Sequence, residues 1–393
     1  MPHKALLTLL LSLIPALAPT LGCAQADRTI RVATYNIEDV RSPDLDDPDH
    51  PRLSRVASVI SELNPDIILI NELAADQTAP GQTGNLQNGQ RFSDTFLAGK
   101  YTAITLGSNT GVPSRHDLNN DGRIVTKHPA TEAATPDASP PRQTAEQRAF
   151  GNDAYGFGTF PGQYSMALLT KPGYTVLHDQ IRTYRLFKWS DLPGATTPTN
   201  LDAMPWYTTH EWADLRLPSK TLAIVPVRTP TGVVIHCVIS HPTPPAFDGP
   251  ERRNKIRNRD EIRLLRAVLD NEPWLTDDQG KPGGLSPDAH AVVLGDLNAD
   301  PIDGSSVDNP IAHLLASPRL ATDPKPTSDI PIDRLDPWDT SMFRLRVDYV
   351  LPTKGLHVQQ TSIWRPAPDA LNQNPSDHFP VWADILLPDA PTR

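Results

Sequence analysis

The stretch from Thr29 to Glu72 leaves this chain little freedom. "TIRVATYNI" (29–37) alternates well enough for a strand, and "PRLSRVASVISELNPD" then sets Leu53, Val56, Ala57, Ile60 and Leu63 at helical spacing before Asn64-Pro65 stops the helix. "DIILINE" follows as a continuous apolar strand ending in Glu72. A strand, a helix and a strand with short joints form a βαβ crossover, so the two strands run parallel and finish on one edge. Asn36 and Glu72 are therefore expected to be neighbours.

Further strand-like runs lie at "YSMALLT" (164–170), "KTLAIVPVRT" (220–229), "GVVIHCVIS" (232–240), "AVVLG" (291–295), "RVDYVLP" (346–352), "LHVQQTSIW" (356–364) and "FPVWADILL" (379–387). The polar, Pro/Gly/Ala-rich stretches 76–100 and 129–147 lack periodicity and read as surface insertions, because strand-like runs resume after each. The 42 prolines cluster between the apolar runs, so long loops are expected, at about 76–100, 129–160 and 183–218. No internal repeat is evident, and many strands with few helices point to two packed sheets with helices outside. One domain over 27–393 is the expected organisation, since 393 residues suffice for one large core.

The N-terminus reads as an export signal over 1–26: Lys4 supplies the positive start, "ALLTLLLSLIPALA" the apolar middle and Ala24-Gln25-Ala26 a small-x-small cleavage site. The apolar run is short for a membrane span, so no transmembrane segment is expected in the mature chain, which would be secreted or periplasmic. A lipoprotein would instead use Cys23 in "TLGC", although Thr20 stands where such sites usually carry Leu. Only Cys237 survives cleavage at Ala26, which excludes a disulfide framework and makes it a buried small hydrophobe. The formal net charge of −10 gives no general attraction for polyanions, so a grip on nucleic acid would need a local basic patch or a bound cation.

Polar residues that break the strand pattern fall at strand ends: Asn36, Glu72, His241, Asp296 and Asn298 in "GDLNADP", and Asp377 and His378 in "SDHFP"; Asp348 lies inside "RVDYVL". Singly, each has a bland explanation, as a turn residue, an Asx turn or a cap. A lone Glu ending a buried strand is harder to dismiss, because an unpartnered buried carboxylate costs several kcal/mol. Together, three carboxylates (Glu72, Asp296, Asp377), two histidines and two amides make a site able to hold a hard divalent cation and move protons.

"VATYNIED", "DIILINELA", "YSMALLT", "ISHPTPP", "GDLNADP", "RVDYVL" and "SDHFPV" resemble, in order, the motifs of the endonuclease/exonuclease/phosphatase superfamily, over about 31–387. The resemblance implies a four-layer α/β sandwich, two mixed β-sheets with helices on the outer faces and the active site at one edge. It implies Glu72 as the principal Mg²⁺ (or Mn²⁺) ligand, with Asn36 close by and Asp377 as a further ligand. His378 is implied as the catalytic histidine oriented by Asp348. Asp296 and Asn298 would position water and phosphate, and His241 would donate to a phosphoryl oxygen or the leaving group. Which of Asp296 and His378 takes the proton is left open. His241 stands where the apurinic endonucleases carry tyrosine, so the chain looks more like the deoxyribonuclease, sphingomyelinase and 5-phosphatase branches. The function so implied is that of a monomeric, exported phosphodiesterase, with extracellular nucleic acid as first substrate. A phospholipid or inositol-phosphate hydrolase is the rival enzyme, and a noncatalytic phospholigand-binding protein the alternative of another class. A sphingomyelinase-like action would call for an exposed aromatic or apolar hairpin, and no such run is obvious.

Three features remain. The basic run Arg252, Arg253, Lys255, Arg257 and Arg259 leads into a helix with Ile262, Leu265 and Leu269 on one side; it is either a solvated helix start or a guanidinium cluster for a phosphate, with Arg253 and Arg257 as the candidates. "DLNNDGR" places Asp117, Asn119 and Asp121 like the opening of a calcium loop, yet His128 occupies the twelfth position, so a polar turn competes with a structural Ca²⁺ site. "GFGTFPGQYS" (156–165) precedes a strand rather than a helix, and reads as a Gly-rich turn.

Overall fold

The computed structural model of the chain describes residues 28–77, 86–129 and 143–389. The export segment and Cys23 lie outside the described residues, as does most of the second Pro-rich stretch. The strands, in chain order, are β1 (Thr29–Val40), β2 (Ile67–Leu73), β3 (Thr102–Leu106), β4 (Met166–Thr170), β5 (Thr175–Val176), β6 (Arg182–Thr183), β7 (Leu222–Arg228), β8 (Val234–Ser240), β9 (Ala291–Asp296), β10 (Asp348–Pro352), β11 (His357–Ile363) and β12 (Val381–Leu386). The helices are α1 (Pro51–Leu63), α2 (Asn88–Phe96), α3 (Ala145–Asn152), α4 (Thr209–Asp214), α5 (Arg253–Asp270) and α6 (Pro310–Leu315).

Two mixed six-stranded sheets result. The first runs β11-β12-β1-β2-β4-β3; the second runs β10-β9-β8-β7-β5, with β6 also on β7. β1 and β2 are parallel, as the crossover requires, and so are β8 and β9. β12 returns from the far end of the chain to pair antiparallel with β1.

Three apolar layers separate four layers of structure. Ile30, Val32, Leu69, Val225, Cys237, Ile239 and Val292 meet between the sheets. Ala33, Tyr35 and Ile68 turn the other way, under Leu53, Val56 and Ile60 of α1. Ile224, Val238 and Val293 lie under Ile262, Leu265 and Leu269 of α5. Covering both faces explains why these strands read as continuous apolar runs rather than alternating ones. Cys237 is fully buried, and burial pushes its thiol up to about 12, so it packs as a hydrophobe. No helix among the described residues is long and apolar enough to cross a membrane.

The stretch 76–100 departs from the sequence expectation. Residues 88–96 form α2, whose Phe92 is fully buried, and β3 follows it. The helix shows no periodicity because it is short and because part of its inner face is polar: Asn88 is buried while donating to Ala74 O at 2.7 Å and Ser42 Oγ at 2.7 Å. α3 likewise begins inside a supposed insertion, on a Thr144/Gln147 capping box.

One close approach sets the edge where β8 and β9 end. Gly295 has φ +144°, and a Cβ there would lie 1.9 Å from Ser240 O, the residue before His241. Only glycine lets β9 run this near to β8 at that level. Gly295→Ala is expected to destabilise the protein by more than about 2 kcal/mol in denaturant unfolding, as backbone strain of this kind does; an unchanged midpoint would refute this account.

Candidate active site

The parallel pairs place the C-terminal ends of β1 and β2, and of β8 and β9, on one side of the sandwich. The N-terminal ends of β10 and β12, antiparallel to β9 and β1, arrive on the same side. All eight residues singled out at or near strand ends, Asn36, Glu72, His241, Asp296, Asn298, Asp348, Asp377 and His378, therefore belong to one edge.

Their contacts join the two sheets. Asn36 Nδ2 donates to Glu72 Oε1 at 3.2 Å and to Asp296 Oδ2 at 3.0 Å, across the seam. β1 carries an irregularity between Asn36 and Val40, with Glu38 and Asp39 at positive φ, which turns Asp39 N onto Glu72 Oε2 at 2.9 Å. Glu72 itself has φ +65°, a conformation costing of order 1–3 kcal/mol in a residue other than glycine, and such strain concentrates at working sites. Burial first, and then the nearby Asp377 charge, push its carboxyl up to about 7.

His378 Nδ1 is bonded to Asp348 Oδ2 at 2.8 Å, and its Nε2 lies 3.8 Å from both Asp296 Oδ2 and Asp377 Oδ1. The "SD" before it is a positioning device: Ser376 Oγ donates to Asn36 O at 2.7 Å and accepts His378 N at 3.1 Å. Burial disfavours the charged ring, but the carboxylates of Asp348 and Asp296 outweigh it and hold His378 well above the ordinary histidine range. His241 goes the other way. Burial, and then the charge of Lys220, lower it to about 4, so it is a neutral imidazole at neutral pH with Nε2 3.4 Å from Asp296 Oδ2.

Asp296 Oδ1 accepts Asn298 N at 2.8 Å, and Asn298, at φ +51°, turns its Nδ2 onto Pro242 O at 3.1 Å. Asp300 completes the motif: Oδ1 accepts Ile302 N and Asp303 N, and Oδ2 accepts Arg346 N at 2.6 Å, tying the loop after β9 to the approach to β10. Sequence reasoning passed over Asp300, and also Asp39, which is buried between Arg41 NH2 at 2.7 Å and Gln163 Nε2 at 2.9 Å. The Gly-rich turn delivers Gln163, and its Gly162 (φ +87°) sits where a Cβ would meet Ala75 O at 2.3 Å. A carboxylate and an arginine two apart in "EDVR" was the available signal.

The arginine candidates are engaged elsewhere. Arg257 donates to Leu217 O (2.9 Å), Tyr155 O (2.5 Å) and Arg216 O (2.8 Å), and Arg253 to Leu118 O (2.7 Å). Both guanidiniums fasten α5 to neighbouring loops. In the loop 117–123, Asp117 accepts Asp121 N and Gly122 N, while Asp121 accepts Arg123 N, so backbone groups satisfy the carboxylates of a polar turn.

Among the described residues, two groups of three could hold a metal ion, Glu72 with His241 and Asp296, and Asp296 with Asp348 and His378; within each the candidate ligand atoms lie inside 4.8 Å of one another. The carboxylates of the first, Glu72 and Asp296, offer the oxygen atoms that a hard divalent cation takes, whereas its His241 offers nitrogen. These carboxylates are crowded and largely withdrawn from water, and the raised pKa of Glu72 means that a nearby positive charge would favour its ionised form.

An α/β sandwich with a carboxylate–histidine cluster where its two sheets open defines a class of proteins built around a divalent ion. The chain belongs to the Endonuclease/Exonuclease/phosphatase family, whose sequence profile matches residues 33–378. Among solved structures it is similar to an endonuclease/exonuclease/phosphatase from Beutenbergia cavernae, at 18% identity and TM-score 0.51, covering 93% of this chain and 73% of that one. A protein of the same description from Bacteroides vulgatus matches at 14% identity and TM-score 0.45, over 92% and 99% of the two chains. The human Nocturnin catalytic domain with bound sulfate matches at 15% and 0.46, over 91% and 93%. No curated protein sequence gives a significant match.

Proposed function

We propose that this protein is an exported, divalent-metal-dependent phosphodiesterase. The observation that carries the reading is the Asp348–His378–Asp296 line, which ends beside Glu72 and Asn36 across the seam. A phosphodiester is already anionic, so attack by water needs charge neutralisation on the phosphoryl oxygens, removal of a proton and donors to the developing charge. Glu72 and Asn36, with Asp377 beside them, would hold a Mg²⁺ or Mn²⁺ ion, which would supply that neutralisation. Asp348 fixes the His378 ring through Nδ1 and leaves Nε2 turned toward Asp296 and Asp377. Asp296 and His378 handle the proton of the attacking water as a coupled pair. The neutral His241 donates to a phosphoryl oxygen or to the leaving oxygen, and Asn298 contacts the phosphate.

Extracellular nucleic acid is the first substrate class to test. A second reading, phospholipid hydrolysis, has one observation in its favour. Phe247 (90% exposed), Ile302 (69%), Phe343 (45%) and Met342 (39%) stand on loops leaving the catalytic edge, and the Phe343 ring is edge-on to His378 at 5.3 Å. These residues are scattered along the chain, which is why no apolar hairpin is visible in the sequence.

The deciding assay is hydrolysis of bis(p-nitrophenyl) phosphate beside p-nitrophenyl phosphate, with Mg²⁺, with Mn²⁺ and with EDTA. Diester turnover that EDTA abolishes is expected. Cleavage of the monoester alone would replace the proposal with a phosphatase, and no turnover of any phosphoester would favour a noncatalytic phospholigand-binding protein. If diesters are cleaved, DNA, RNA and phosphatidylcholine vesicles then separate the substrate classes.

A further inference from the structure

Glu72, Asp296, Asp348 and Asp377 give the candidate site more negative charge than His378 balances, and Arg253 and Arg257 are held by carbonyls. One cation has no role so far. Lys220 stands two residues before β7, whose Leu222 pairs with Ser240 of β8, so it emerges beside His241. It is only 6% exposed. Its Nζ donates to Pro242 O at 3.3 Å, the same carbonyl that receives Asn298 Nδ2. No carboxylate is in salt-bridge contact with Lys220 among the described residues, under a 4.0 Å limit.

Glu261 exerts the strongest pull on this ammonium, followed by Glu72 and Asp296. Both oxygens of Glu261, however, already accept backbone donors: Oε1 takes Ser219 N at 2.5 Å and Oε2 takes Thr243 N at 2.6 Å. Lys220 is thus a desolvated three-donor group with one long hydrogen bond. Such a group is costly to bury unless an acceptor completes it, and it sits between two residues assigned to phosphate.

We infer that Lys220 is a substrate-contacting residue, whose remaining N–H groups receive a phosphoryl oxygen between the amide of Asn298 and the imidazole of His241. The inference rests on the phosphoester reading of the same site, and its test separates the two. Inorganic phosphate is titrated calorimetrically, with Mg²⁺ present, into wild type, Lys220→Met and Lys220→Arg, and kcat and KM for bis(p-nitrophenyl) phosphate are measured beside it. Loss of one charge-assisted hydrogen bond should weaken phosphate binding at least tenfold in Lys220→Met. kcat/KM should fall by a similar factor, and arginine should restore most of both.

Phosphate binding within twofold of wild type in Lys220→Met would overturn the inference. So would equal weakening in both variants accompanied by lower melting temperatures, which would make Lys220 a structural counterion of Glu261. Lys220-dependent phosphate binding in a wild-type protein that cleaves no ester would support the inference while removing the hydrolytic reading.

Discussion

His378→Ala is expected to lower metal-dependent diester hydrolysis by about 10²–10⁴-fold, the usual worth of a positioned acid–base group. The ring is fixed by Asp348 at 2.8 Å and faces Asp296, whereas His241, which approaches the same Asp296 oxygen, has no carboxylate among the described residues to orient it through Nδ1. Asp348→Asn should cost less, because it leaves the imidazole in place while weakening its orientation. The double variant should be scarcely worse than His378→Ala alone, since the two residues act as a unit. Steady-state kinetics on bis(p-nitrophenyl) phosphate checks all three, and a His378→Ala protein retaining a tenth of the wild-type rate would remove His378 from the chemistry.

The second large effect concerns Glu72→Gln, which should lose metal-dependent turnover and yet leave the metal-free protein at least as stable as wild type. Glu72 is pressed by burial and by Asp377, so neutralising it relieves repulsion when no cation is present. Wild type should be stabilised by Mg²⁺ according to mass action, about 2.7 kcal/mol at a hundred times the dissociation constant. The variant should show almost none of this. Thermal melts of both proteins with and without Mg²⁺ make the comparison, and a Glu72→Gln protein that Mg²⁺ stabilises as strongly as wild type would displace Glu72 as principal ligand.

Much of the fold was legible because each strand is covered on both faces and so appears as an apolar run. The crossover from β1 through α1 to β2 could be read from periodicity and the Asn64-Pro65 stop, and it put Asn36 beside Glu72. What escaped was structure stabilised by polar contacts. α2 hides because Asn88 is buried as a hydrogen-bonding group, and Asp39 because it reaches Glu72 through an irregularity in β1 that no alternation pattern announces. The arginines at the start of α5 show the converse limit: a basic run looks alike whether its guanidiniums face phosphate or backbone carbonyls, and only the positions of Leu217 O and Tyr155 O distinguish the cases.

The pairing of β12 with β1 has a consequence in time. Ser376 grips the carbonyl of Asn36 from 340 residues away along the chain. At synthesis rates of about 5–20 residues per second, Asn36 and Glu72 are made on the order of tens of seconds before His378. Until β12 closes on β1, a nascent chain carries an incomplete set of reacting groups, so the hydrolytic activity proposed above would switch on only after β12 is made.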